Sequence, residues 1–234
     1  MEFTGERFVP NQTSLRVQQD HIERYLFASD FVVGKKVLDI ACGSGYGSDF
    51  LLKKGAASVT GVDVSAQAVD HAQQNYKSEH LSFVVFDAEK YLSEEKYDII
   101  VSFETIEHVS DFKKVLHNFY QMLNVGGLLI ISTPNRTITS PRAKSILDKP
   151  QGPFHVREFT PEELAKYIVE TGFNLHDDYL FGQRWQKYYQ NKYFQKIYKV
   201  IFKPSTKTSA KVTSAKNIRR KLSPRYFLIL ARKG

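Results

Sequence analysis

A single cysteine among 234 residues leaves no partner for an internal disulfide and too few thiolates for a cysteine-rich zinc site. A reducing compartment is therefore expected. No apolar run approaches the length that spans a bilayer, and Met1 to Arg7 carries no basic-then-apolar leader, so the expectation is a soluble, cytoplasmic protein. Acids are missing from one stretch: between Arg184 and Leu222 there are 12 Lys or Arg and no Asp or Glu. Elsewhere the 25 acids outnumber the bases, so the net charge of +8 originates in that segment alone. A nucleic acid or an anionic membrane surface, as a partner, would be met there.

What is present begins with Val37-Leu38-Asp39-Ile40-Ala41-Cys42-Gly43-Ser44-Gly45-Tyr46-Gly47, which reads as a buried strand ending in a glycine-rich turn before a helix. Gly43, Gly45 and Gly47 would let backbone N–H groups approach a nucleotide-like ligand. Val59 to Asp63 reads as a second strand, with Asp63 at its carboxyl end where a ribose diol would arrive. Two details argue against a dinucleotide. Ser48 only half meets the third small position of the fingerprint, and Asp39, inside the first strand, would repel a pyrophosphate while suiting an ammonium group. An NAD-dependent oxidoreductase fails on that residue. S-adenosylmethionine has a ribose, an adenine, an ammonium and a sulfonium, and no phosphate. The segment resembles the first two motifs of class I S-adenosylmethionine-dependent methyltransferases. The resemblance implies a Rossmann-like α/β fold: a doubly wound, mostly parallel seven-stranded sheet with an antiparallel last strand. It further implies cofactor contacts from Asp39, Ala41, Gly43, Gly45, Asp63, Val64 and Phe103, with Asp87 accepting from the adenine amino group and Ala88 offering its N–H to a ring nitrogen.

Strand patterns at 36–41, 58–63, 81–86, 97–103 and 126–132 alternate with helical periodicities, which argues for a parallel sheet covered on both faces. Ser65 opens one helix and Thr160, with Pro161 and Glu163 behind it, opens another. Phe173 to Phe181 reads as a sixth strand and Arg225 to Ala231 as the last. Residues 1–35 are expected to form a lid or brace, 36–183 with 223–234 the core, and 184–222 a basic insert. Within the insert, Trp185 to Phe202 reads as a basic amphipathic helix and Ser205 to Asn217 as a linker.

Val101 to Val109 gathers Glu104, Glu107 and His108 at i, i+3, i+4 after the fourth strand. If the chain turned helical there, all three would project to one side. The set E-x-x-E-H, then T-P-N from Thr133, then H-x-x-E-F-T-P-x-E-L from His155, resembles ubiquinone-biosynthesis O-methyltransferases and small-RNA 3′-terminal 2′-O-methyltransferases. By that resemblance Glu104, Glu107, His108 and His155 hold a divalent metal, Mn²⁺ or Mg²⁺, that grips vicinal oxygens of the substrate. The alternative from the residues themselves is His108, with Glu107, acting directly as general base. Phe3 to Pro10 and His21 to Tyr25 are similar to a broad bacterial group of class I methyltransferases, covering residues 3 to about 181, whose members look like tailoring enzymes of glycans and other products. The expected reaction is O-methylation of a small-molecule or glycan hydroxyl. A 2′-O-methyltransferase of RNA and a non-catalytic S-adenosylmethionine-binding subunit stand as alternatives.

Overall fold

A computed structural model describes residues 14–187, 209–218 and 222–234. The chain opens with α1 (Leu15–Ser29), capped by the Ser14 hydroxyl accepting from the Val17 N–H. β1 (Lys36–Ile40), α2 (Tyr46–Lys53), β2 (Ser58–Asp63), α3 (Ala66–Asn75), β3 (Leu81–Val85), β4 (Tyr97–Phe103), α4 (Phe112–Met122) and β5 (Leu123–Pro134) follow in alternation. A single turn, α5 (Arg136–Thr139), precedes α6 (Pro161–Glu170) and the long β6 (Phe173–Gln183). Thr160 and Glu163 form a complete capping box at the start of α6. Two short strands, β7 (Gln186–Lys187) and β8 (Thr213–Ser214), then β9 (Leu222–Ser223) and β10 (Tyr226–Lys233) complete the chain.

The main sheet runs β3-β2-β1-β4-β5-β10-β6-β8. β1 to β5 are parallel, while β10 lies antiparallel between β5 and β6. Because side chains alternate along a strand, consecutive residues feed two separate cores. Leu38, Ile40, Leu129 and Ile131 pack with α4 and α6, and Val37, Val101, Leu128 and Ile130 pack with α1 and α2. This alternation decides which functional side chain reaches which layer.

Three expectations need correction. The sheet has eight strands among the described residues, because Thr213 and Ser214 of the expected linker pair with Gly182 and Phe181. Val212 beside them is buried, which gives that stretch an apolar anchor. The expected helix does not begin at Trp185, for Gln186 and Lys187 pair with Ser223 and Leu222 instead. The indole N–H of Trp185 donates to the Gly182 carbonyl and the Thr213 hydroxyl, and Arg184 takes φ 54°, which turns the chain away from a helical path. The rest of the expected helix, at 188–202, lies outside the described residues. Finally, 104–108 is a turn, not a helix. Among the described residues no helix is long and apolar enough to cross a membrane.

Candidate active site

A cavity of about 690 Å³ opens at the carboxyl ends of β1, β2, β4 and β5, roofed by Val17, His21 and Arg24 of α1. Strand ends of a doubly wound sheet are where ligands bind, since the loops diverge there. Ala41, Gly43, Asp63, Val64, Asp87, Ala88 and Phe103 all line this cavity. Asp63 accepts from the Gly43 N–H at 2.8 Å and the Ser65 N–H at 2.9 Å, so one carboxylate ties the glycine turn to the end of β2. Asp87 organises its own loop by accepting from the Glu89 N–H.

The three glycines of the turn have three different reasons to be glycine. At Gly43, φ is +57° and a Cβ would meet nothing within 4 Å, so conformation and open access to the cavity explain it. At Gly45 a Cβ would lie 2.5 Å from Ala72 and 2.9 Å from Phe83, and at Gly47 it would lie 2.0 Å from the Tyr25 ring. Gly45, expected as a cofactor contact, does not line the cavity; it lets α3 and β3 close against the turn.

Asp39 is a second correction. It is fully buried and stands behind the cavity wall, because it sits on the face of β1 that packs under α1 and α2. Its oxygens accept from Tyr25 Oη at 3.1 Å and Ser48 Oγ at 2.6 Å. Burial pushes its carboxyl up to about 7, against the pull of those two hydroxyls. Tyr25 and Ser48 were missed in the sequence. Ser48 had a visible signal in its place at the third position of the fingerprint, whereas Tyr25 was visible only as the end of the His21 to Tyr25 resemblance.

The other side of the cavity is built from β4, β5 and the loop before α6. Thr133 Oγ1 donates to Glu107 Oε2 at 2.9 Å, and Ser132 Oγ donates to Glu104 Oε1 at 2.8 Å. Ser132 and Thr133 are neighbours on β5, so their hydroxyls leave on opposite faces and each anchors one of the two glutamates. Glu104, held at φ 50°, turns toward α1, where Arg24 Nη1 lies 3.8 Å away. Glu107, His108 and His155 instead converge, each offering a ligand atom within 4.8 Å of the others. Glu104 is not in that group, which corrects the four-residue set expected from sequence.

Backbone bonds hold the three together. Val156 and Arg157 N–H both donate to the Glu107 carbonyl, and His108 Nδ1 lies 3.1 Å from the Phe154 carbonyl. The two imidazoles stand edge to face at 5.1 Å. Burial, then the charge of Glu104, drives the Glu107 carboxyl well above the usual carboxylate range. Its Oε1 is buried without a hydrogen-bond partner among the described residues. A missed residue backs the set: Glu158 Oε1 lies 2.6 Å from His155 Nδ1. Burial works against ionised Glu158, but hydrogen bonds from His155, Thr139 and Ser140 outweigh it and hold the carboxyl below its ordinary value.

Such a sheet, with its reversed β10 and a glycine turn facing a carboxylate at the end of β2, defines a class I methyltransferase fold. Solved structures share it. An S-adenosylmethionine-dependent methyltransferase of Listeria monocytogenes, described as putative in its own report, superposes with a TM-score of 0.62 at 14% identity over 92% of this chain and 99% of that one. The N-methyltransferase NodS of Bradyrhizobium japonicum, in complex with S-adenosyl-L-homocysteine, gives 0.56 at 17% over 93% and 86%. A family model described as a methyltransferase domain matches residues 13–177. A probable S-adenosylmethionine-dependent methyltransferase of Mycolicibacterium smegmatis is 32% identical over 186 residues, 76% of this chain and 67% of its own length. A relative from Mycobacterium tuberculosis with the same description is 33% identical over 182 residues, and this chain spans 61% of its length. A ubiquinone biosynthesis O-methyltransferase of Glaesserella parasuis is 33% identical over 176 residues, 68% of this chain and 74% of its own. The chain belongs to the methyltransferase-domain family and is an S-adenosylmethionine-dependent methyltransferase.

Proposed function

We propose that the chain methylates a hydroxyl oxygen, one of a vicinal pair on a small molecule or glycan, with a divalent cation held by Glu107, His108 and His155. The observation that carries this reading is the convergence of those three side chains in the cavity that the glycine turn also lines. The donor set fits a cation: one carboxylate and two imidazoles suit Mn²⁺ or a neighbouring first-row ion, and Mg²⁺ where waters complete the shell. The buried Oε1 of Glu107, which has no hydrogen-bond partner among the described residues and lies 4.0 Å from His108 Nε2, is an acceptor that a cation would satisfy. Bound to a hydroxyl, such a cation lowers the oxygen's pKa and fixes its position. The O-methyltransferase named among the relatives supports oxygen as the acceptor atom.

The rest of the work falls to the chain. Methyl transfer from a sulfonium is an in-line displacement, so orientation supplies most of what the protein can add. Asp63 and Asp87 face the cavity from β2 and β3 as acceptors for the ribose and the adenine amino group, while Phe103 closes the floor. α1 covers the mouth and limits water.

A second reading has its own observation. His108 is partly exposed with Nδ1 toward the Phe154 carbonyl, which leaves Nε2 as the nitrogen able to take a proton from the acceptor. Chelation separates the two. With catechol and 3,4-dihydroxybenzoate as probe acceptors, activity should vanish in a chelator and return with Mn²⁺ or Mg²⁺. Full turnover in the chelator would remove the cation and leave His108 as base.

A further inference from the structure

Arg225 is a cation whose backbone is fixed from both sides while its charge goes unanswered. Its N–H donates to the Gln183 carbonyl at the end of β6, and its carbonyl accepts from the Asn135 N–H just past β5. β10 runs antiparallel to both strands, so the chain enters it at the cavity, which Arg225 and Tyr226 line. The half-buried Arg225 side chain makes one long hydrogen bond, from Nε to the Tyr226 hydroxyl at 3.5 Å. No carboxylate among the described residues lies within ion-pair distance of it. Arg24 stands against the same Tyr226 ring, its Cζ 5.3 Å from the centroid where that of Arg225 is 5.7 Å away. Arg24 is 1% exposed, and its Nε has no hydrogen-bond partner among the described residues.

The other charges of this wall balance. Arg24 Nη1 donates to Gln183 Oε1 and lies 3.8 Å from Glu104 Oε1, and Asp20 is taken by Arg184 at 2.7 Å. His21 adds no charge, because burial, then Arg24, holds its imidazole well below the ordinary value. What remains is the positive charge of Arg225. A guanidinium in a partly desolvated wall is costly unless an anion pairs with it, and its planar fork matches a carboxylate. We propose that Arg225, with Arg24 and the Tyr226 hydroxyl beside it, forms a carboxylate subsite that selects acceptors bearing one negative charge. The substrate class narrows from a hydroxyl compound to a hydroxy acid, such as a uronic acid unit of a glycan or an aromatic hydroxy acid. One unpaired guanidinium suits such a monoanion better than a phosphate monoester, which carries about two charges. The subsite rests on the reading that the acceptor enters this cavity; it does not need the cation.

Binding, not turnover, tests the subsite, so the result does not depend on which atom is methylated. Titrations are run in a chelator, so that no metal can take the carboxylate. Protein saturated with S-adenosyl-L-homocysteine receives two matched pairs by calorimetry: 3,4-dihydroxybenzoate against catechol, and methyl glucuronoside against methyl glucoside. In at least one pair the acid should bind about 10–100-fold more tightly than its neutral partner, as expected for a charge-assisted hydrogen bond. Arg225→Gln should erase that preference. Arg225→Lys, which keeps the charge and loses the fork, should retain part of it. Melting temperature and affinity for S-adenosyl-L-homocysteine, unchanged in both variants, show that the fold and the cofactor site are intact. No preference for the acid in either pair overturns the proposal, and so does a preference that survives in folded Arg225→Gln. A folded Arg225→Gln with weakened affinity for S-adenosyl-L-homocysteine also overturns it, by assigning Arg225 to the cofactor's own carboxylate. Turnover that persists in the chelator removes the cation reading alone, and the acid preference decides on Arg225 by itself.

Discussion

The two halves of the cavity are made in different ways. The half proposed for the cofactor is local: Ala41, Gly43, Asp63 and Val64 come from one strand-turn-helix and the next strand, joined by the bonds from the Gly43 and Ser65 N–H groups to Asp63. The half proposed for the acceptor is assembled from afar. Glu107 meets His155 only because the loop before α6 hangs on the Glu107 carbonyl, and Thr133 and Ser132 sort the glutamates from a third segment. A half built from contiguous motifs should fail in binding, and a half built from distant contacts should fail in turnover.

The sharpest way to break that distinction is a pair of substitutions. Asp63→Ala removes the acceptor at the end of β2 and frees two backbone N–H groups, so affinity for S-adenosyl-L-homocysteine should fall by about 10²-fold, consistent with a lost charged acceptor and a loosened turn. Glu107→Gln should leave that affinity within about twofold while turnover drops about 10²–10⁴-fold, the range expected when a group acting at the reacting oxygen is lost. Calorimetry and steady-state rates read the two separately. A Glu107→Gln protein that binds the cofactor poorly would merge the halves.

Asp39 gives the next largest effect and places that residue on the structural side of the comparison. Its folded pKa of about 7 lies above its ordinary 3.8, so between those values the native state holds the extra proton. Stability from this group is therefore full below about pH 4 and is lost as the pH rises through 7. At about 1.4 kcal/mol per unit the loss is a few kcal/mol, with about 4 as the upper bound. Urea unfolding at pH 5 and pH 8 should show that decline in the wild type and its absence in Asp39→Asn. Equal pH dependence in both proteins would show that Asp39 holds no extra proton in the native state.

What was legible follows the same division. Period-2 runs and the capped helix starts at Ser65 and Thr160 are local signals, and the seven strands they imply are observed, with β8 added at the edge. Glu107, His108 and His155 were legible through motif resemblance. Glu104 misled because spacing alone does not say whether a residue stays in a turn; its positive φ and the Ser132 hydroxyl send it to α1. Glu158 sat in view, three residues after His155, but its role needs Thr139 and Arg136 from another segment. The strands at the base of the insert were hidden because Thr213 and Ser214 sit among small polar residues that suggest a linker, and their partner strand supplies the order.

Glycine substitutions sharpen the cofactor half from within. Gly47→Ala drives a methyl into the Tyr25 ring and should cost about 1–3 kcal/mol, the usual range for overpacking. Gly43→Ala meets no atom and should cost only about 1 kcal/mol from its left-handed backbone, while weakening cofactor binding more than Gly47→Ala does relative to its stability cost. Adding Tyr25→Ala to Gly47→Ala should recover part of the loss in thermal melts. Strict additivity would show that the ring is not what excludes a side chain at 47.

The smallest effect tests the base of the insert, which belongs to neither half. Trp185 is the chain's one tryptophan, and its indole N–H is shared between the Gly182 carbonyl at 2.9 Å and Thr213 Oγ1 at 2.8 Å. Thr213→Val removes the hydroxyl, keeps the shape and leaves the carbonyl as acceptor, so the cost should be about 0.5–1 kcal/mol. Because β8 has only two paired residues, the change should act locally: the Trp185 emission shifts and amides of Phe181 and Gly182 exchange faster, with cofactor affinity unchanged. If affinity fell as well, the base of the insert would be coupled to the cavity, and the route is already visible. Gln183 accepts from Arg24 and donates to the carbonyls of Asp20 and Ala210, and Arg184 pairs with Asp20, so α1 would carry the disturbance to the cavity roof.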